Sequence, residues 1–238
     1  MSLRYSCCFL VLAVLHGLIA AKYWNSAPLL TLMLLYAAFS FGLLATAYAG
    51  LGAVLLLKAR SGRMTLGSSV LFAPYLCLSE FLFRIYRSTN REAAFVEVCP
   101  NLFFGRRLTR SEADQGIKLG WISVLDLAVE FSEVAALREL PGYFSLPILD
   151  GTAPSPRQMD EAVDWIQRSK LRGSVYVHCA LGHGRSACMI VAYLISTNEV
   201  STAGEGEAFL RGLRHGVRLN SAQSKAIDAY RTRCKSII

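Results

Sequence analysis

Cys179 and Arg185 are separated by five residues, Ala180, Leu181, Gly182, His183 and Gly184, and are flanked by His178 and Ser186. A thiol and a guanidinium at this spacing suit nucleophilic attack on a bound anion. Ahead of them, Val175, Tyr176 and Val177 read as a buried strand; after them, the apolar run from Ser186 to Ile195 reads as a buried helix. A short loop feeding a helix N-terminus turns successive N–H groups inward and adds the positive end of the helix dipole. Gly182 and Gly184 let such a loop wrap closely around an anion, and Arg185 supplies a planar fork for two of its oxygens. At positions of this kind a cysteine pKa falls from about 8.5 to roughly 3.5–7.5. Ser186 is placed to donate to the sulfur and improve it as a leaving group.

HCALGHGRS resembles the H-C-x5-R-[S/T] loop of the cysteine-dependent protein tyrosine phosphatase superfamily, and the small size points to its dual-specificity branch. VYVHC, GRSA and AYLI are similar to the phosphatidylglycerophosphate phosphatase-like members in particular. The resemblance covers the last three-fifths of the chain, Asn101 to Tyr230. It implies a two-step displacement, with Cys179 as nucleophile and Arg185 and the loop residues 180–184 holding the phosphate. His178 then orders the loop and tunes the thiol. The family carries its general acid on a separate loop about thirty residues earlier, which here is Asp150 in LPILDGTAPSP. Asp-Gly is also a frequent turn pair, so Asp126 and Asp160 stand as alternatives, less well placed in a strand pattern and a helix pattern.

Those residues need a folded α/β domain, and the chain from about residue 93 has the composition of one. Val96–Val98, Leu102–Phe104, Trp121–Leu127 and Tyr143–Leu149 are expected strands. Thr109-x-x-Glu112 has the form of a capping box for a helix through Lys118. Phe131–Leu140, Arg157–Lys170, Gly204–Gly216 and Ser221–Arg233 are expected helices. The fold class implied is a central mixed sheet flanked by helices, over residues 93–238.

The front of the chain is different. Of 238 residues 53% are hydrophobic, and the excess lies in two runs, expected as transmembrane helices at about 7–24 and 28–57 within a hairpin over residues 1–64. About 20 apolar residues suffice to span a bilayer. Gly42, Thr46 and Gly50 recur at four-residue spacing, a stripe for close helix contact. The competing reading of the first run is a signal peptide cleaved near Ala20–Ala21. Lys58, Arg60, Arg63, Arg84, Arg87 and Arg91 follow the second run against Lys22 alone in the turn. The positive-inside rule thus puts both hairpin ends, and the phosphatase domain, in the cytoplasm. Residues 65–92 include Pro74 and Glu80 and are expected to lie at the interface rather than span.

The expected substrates are phosphotyrosine, phosphoserine and phosphothreonine proteins, with a phospholipid monoester of the phosphatidylglycerophosphate type as the alternative. The loop lacks the lysines usual in enzymes acting on polyphosphoinositides. No cofactor, metal or nucleic-acid partner is expected, and the oligomeric state is left open. The seven cysteines show no C-x2-C zinc spacing. Less favoured are a phosphate-binding adaptor without activity, and a sulfurtransferase or arsenate reductase built on the same loop.

Overall fold

The computed structural model describes residues 2–235; residue 1 and residues 236–238, the outer ends of the first and last expected segments, lie outside them. Two compact units divide the described chain. One takes residues up to Lys58 together with Met64–Tyr86, and the other takes Ala59–Arg63 with the chain from Arg87 onward.

In the first unit, α1 (Leu3–Lys22) and α2 (Pro28–Thr46) form a helical hairpin. Pro28 opens α2, where its missing N–H is one the helix leaves unpaired in any case. The Thr31 hydroxyl donates to Tyr23 O at 3.0 Å and closes the turn. Both α1 and the stretch Pro28–Leu51 are long and apolar enough to cross a membrane. The second expected helix does not continue to Leu57 as a single α-helix. A π turn over Ala47–Leu51 and a 3-10 turn over Ala53–Leu56 replace its end, because Gly50 (φ 157°) and Gly52 (φ 76°) leave helical geometry. The small-residue stripe does not make the helix contact either. Thr46 and Gly50 are exposed, and a Cβ on Gly42 would meet nothing within 4 Å. Aromatic packing fills the seam instead, with Phe9 6.2 Å from Phe41 and 5.4 Å from Tyr48 between ring centroids.

Residues 65–89 form two helices, α3 (Leu66–Leu71), capped by the Thr65 hydroxyl, and α4 (Ala73–Thr89). Pro74 sits in the first turn of α4, where it is tolerated. This helix is amphipathic, burying Tyr75 and Phe83 and exposing Leu78, Phe81, Leu82 and Ile85.

The second unit is built on a five-stranded sheet in the order β1-β2-β5-β3-β4, from β1 (Phe95–Cys99), β2 (Leu102–Arg106), β3 (Trp121–Ala128), β4 (Gly142–Ile148) and β5 (Ser174–Cys179). Only β1 runs antiparallel to its neighbour. The central β5 is buried along its whole length, as its unbroken apolar run requires when both faces are covered. Its side chains alternate between two cores. Val175 and Val177 join α7 (Pro156–Lys170), α8 (Arg185–Ser196), α9 (Ala203–Leu213) and α10 (Ser221–Lys235) in one. Tyr176 joins Trp121 with residues of α5 (Arg110–Lys118) and α6 (Ala135–Arg138) in the other. The expected capping box closes α5: the Thr109 hydroxyl accepts from Glu112 N, and the Glu112 carboxylate accepts from Thr109 N. Phe131–Leu140 is helical only over Ala135–Arg138. Residues 131–134 lie outside the helix, and among them Glu133 pairs with His178.

Candidate active site

The loop 180–184 joins β5 to α8, so Cys179 ends the central strand and Arg185 opens the helix. Strand β2 pairs Arg106 with Cys179, and Arg107 N donates to Ala180 O at 3.0 Å, which pins the first turn of the loop to the neighbouring strand. Gly182 has φ +77°, and a Cβ there would fall 2.5 Å from the backbone of Gly105. Only glycine fits that crossing.

The Cys179 thiol is buried, with Ser186 Oγ at 3.4 Å and Gly182 N donating to the sulfur at 3.3 Å. Burial opposes ionisation, but the Arg185 charge and the hydrogen bonds from Ser186 and Gly182 outweigh it, and the thiol falls below its ordinary pKa. Cys188, three residues into α8, shows the contrast: burial acts alone and drives its pKa up. Arg185 is only 2% exposed. Glu130 grips one edge of its guanidinium at 2.6 and 2.8 Å, and Ile148 O accepts from Nη1 at 2.9 Å. Its Nε is buried and has no hydrogen-bond partner.

Asp150 lies at the mouth of the same site, its side chain 62% exposed and one oxygen 2.9 Å from Arg185 Nη2. The alternative acids are elsewhere. Asp126 is fully buried, accepting from Tyr143 OH at 2.7 Å and from Ala128 N at 3.0 Å. Asp160, on α7, pairs with Arg233 at 2.8 Å. A cavity of about 140 Å³ brings Asp150, Cys179, Arg185, Leu181, His183 and Gly184 together with Arg218, Asn220 and Gln223. His178 and Ser186 lie behind its wall.

His178 stacks on Tyr176 at 5.3 Å, which in turn stacks on Trp121 at 4.2 Å. Its Nε2 is 2.8 Å from Glu133 and 3.9 Å from Asp126. Asp126, Glu133 and His178 thus present ligand-type atoms within 4.8 Å of one another. Their carboxylates also accept from Tyr143 OH, Ala128 N and Val134 N, so the cluster is knitted into a network behind the nucleophile.

Several contributors were not legible in the sequence. Glu133 sits in the stretch read as helix and Glu130 just ahead of it, although two acids shortly after a buried strand were a usable signal. Glu92 gathers three segments: His183 Nε2 and Arg214 Nη2 each donate to its Oε2 at 2.7 Å, and Gly216 N to its Oε1 at 3.0 Å. Burial raises the Glu92 pKa, but the hydrogen bonds from His183 and Gly216 and the Arg214 charge hold it below the ordinary carboxylate value. Arg214 also donates to Leu181 O, so the clamp reaches the phosphate loop twice. Asn220 and Gln223 pin the loop that carries Asp150, donating to Gly151 O at 2.9 Å and Thr152 O at 3.1 Å. Their N-x-x-Q spacing, with reciprocal capping bonds, was the visible trace of that role.

Comparison with known proteins agrees with this geometry. Residues 102–233 match the family model of the dual specificity phosphatase catalytic domain. The chain is 26% identical to phosphatidylglycerophosphate phosphatase PTPMT1 of Arabidopsis thaliana over 188 residues, 75% of this chain and 54% of that protein. It is 31% identical to dual specificity protein phosphatase 1 of Homo sapiens over 110 residues, 44% of this chain and 29% of that protein. The chain thus spans about half or less of these curated relatives. Among solved structures, Tk-PTP in its active form superposes with a TM-score of 0.53 at 26% identity, covering 59% of this chain and 97% of that one. A signature loop with a stabilised thiolate, inside a matched domain that fills more than half of the chain, places this protein in the dual specificity phosphatase family, the cysteine-based hydrolases of phosphomonoesters.

Proposed function

We propose that the chain is a membrane-anchored phosphatase that works through a cysteinyl-phosphate intermediate on phosphomonoesters presented at the bilayer surface. The observation that carries the mechanism is the guanidinium of Arg185. One edge is locked to Glu130, Nε is buried and unpartnered, and the Arg185 charge lowers the Cys179 thiol pKa. A phosphate in the cavity fills that vacancy, takes hydrogen bonds from the amides of residues 180–184, and holds phosphorus in line with the sulfur.

The Cys179 thiolate then forms the P–S bond as the ester P–O bond breaks, and protonated Asp150 gives its proton to the departing oxygen. Asp150, now a carboxylate, takes a proton from water that attacks phosphorus. The P–S bond breaks, and Cys179 leaves as the thiolate that Ser186 and Gly182 stabilise. The incoming dianion competes with Asp150 for Arg185, which frees the carboxyl for the leaving group. Glu130 fixes the arginine, and Asn220 and Gln223 hold the acid loop in reach.

The favoured substrate class is a phospholipid monoester. It is supported by the two apolar helices, and by a similarity to the Arabidopsis phosphatidylglycerophosphate phosphatase that extends well beyond residues 102–233. The similarity to a dual specificity protein phosphatase keeps phosphoproteins as the second reading. The basic residues after the second apolar stretch support a cytoplasmic domain. The test is phosphate release by the full chain in anionic vesicles, from phosphatidylglycerophosphate and from a phosphotyrosine peptide. Lipid turnover is expected to exceed peptide turnover, to vanish in Cys179→Ser, and to drop about 100-fold or more in Asp150→Asn. Faster peptide turnover gives the phosphoprotein reading. Absence of release, with wild type equal to Cys179→Ser, leaves the adaptor.

A further inference from the structure

The polar side chains around the cavity are almost all committed. Asp150 is paired with Arg185, His183 with Glu92, Asn220 with Gly151 O, and Gln223 with Thr152 O. The neighbouring arginines are committed too: Arg214 to Glu92 and Arg106 to Glu112. Arg218 differs. It lines the same cavity, its side chain is exposed, and among the described residues no carboxylate or other side-chain partner engages it. Its position is nevertheless fixed, because its backbone N–H donates to His183 O in the phosphate loop at 3.1 Å, and the residues on either side, Val217 and Leu219, are buried in the core.

A phosphomonoester seated on Cys179 is already neutralised by Arg185 and the loop amides, so it does not need this second cation. We propose that Arg218 forms a subsite for a second anion carried by the leaving group, and that the group it reads is the phosphodiester of a glycerol-linked lipid headgroup. This rests on the phosphatase reading above and sharpens its substrate class. A phosphodiester matches the guanidinium fork. An anchored enzyme meets such headgroups at high local concentration, where a selective contact matters more than raw encounter. The subsite separates monoesters whose alcohol carries an anion from those whose alcohol does not.

The test compares full-length wild type, Arg218→Gln and Arg218→Lys in non-ionic mixed micelles. The substrates are short-chain phosphatidylglycerophosphate, which has the diester; phosphatidic acid of the same chains, which lacks it; p-nitrophenyl phosphate; and a doubly phosphorylated peptide. Arg218→Gln is expected to lower kcat/KM on the diester-bearing lipid about tenfold more than on phosphatidic acid, mostly through KM. That is the size of one lost charge-assisted hydrogen bond. Arg218→Lys should recover part of the difference, and added salt should shrink it in wild type. An equal loss on both lipids overturns the subsite. Discrimination confined to the doubly phosphorylated peptide overturns the lipid assignment. If wild type hydrolyses none of the four, including p-nitrophenyl phosphate, the phosphatase reading itself has failed, which is a different result from equal losses.

Discussion

The chemistry of the site is decided by which side chains surround one sulfur. Cys179 and Cys188 lie on the same strand-loop-helix segment and are both buried, yet their thiols shift in opposite directions. The difference is Arg185, Ser186 and the Gly182 amide, which only Cys179 meets. The rate of Cys179 alkylation by iodoacetamide is therefore expected to titrate with a midpoint below the ordinary cysteine value of about 8.5. Ser186→Ala should raise that midpoint and slow breakdown of the phosphoenzyme in a burst experiment. Glu130 acts one step further out. Glu130→Gln leaves Arg185 buried beside a neutral partner, and is expected to weaken competitive inhibition by inorganic phosphate about tenfold. Unchanged inhibition would show that Asp150 alone suffices to orient the guanidinium.

At the scale of elements, the candidate active site is a meeting of loops that different strands and helices deliver. The phosphate loop is braced by β2 through Gly105 and Arg107, and by the Glu92–Arg214 clamp. Gly182→Ala puts a methyl group into the Gly105 backbone at a left-handed φ. It should lower stability by about 1–3 kcal/mol in chemical denaturation and abolish turnover. Glu92 gives a pH signature. Its folded pKa lies below its unfolded value, so its contribution is complete above about pH 4.5 and is lost as pH falls through the folded value. Glu92→Gln should therefore cost about 1.5–3 kcal/mol near neutral pH and show a shallower loss of Tm on acidification than wild type. A parallel acid profile for the two proteins would remove Glu92 from the acid response.

At the scale of the molecule, a catalytic domain of one known family is joined to a hairpin that no part of the family match requires. The exposed faces of α1 and α2, with Leu10, Val14, Leu18, Leu29, Leu32 and Met33 open to the surroundings, fit lipid as solvent. The full chain is expected to stay in the membrane pellet after alkaline carbonate extraction and to be released by detergent. Recovery in the carbonate supernatant would argue that these faces are covered by protein instead. A cysteine introduced at Ser26, in the turn between the helices, should be labelled by an impermeant maleimide only from the side opposite the phosphatase domain.

The sequence alone determined whatever depends on neighbours along the chain. The strand-loop-helix around Cys179, the Thr109 capping box and the two apolar stretches are local patterns, and each is where its residues implied. Even here glycine geometry ended α2 earlier than hydropathy suggested, since an apolar count is blind to backbone conformation. Tertiary structure decided the rest. Glu130, Glu133 and Glu92 have no motif that marks them as partners of residues up to 124 positions away, and the N-x-x-Q spacing of Asn220 and Gln223 shows a local cap but not the loop they hold. Their roles come from β5 lying at the centre of the sheet, which brings the ends of β3, β4 and the α9–α10 connection around one loop. The helix expected over Phe131–Leu140 shows the same cause: the buried pair that Glu133 makes with His178 lies in the part that is not helical, and an unpaired charge in that interior costs more than a turn of helix returns.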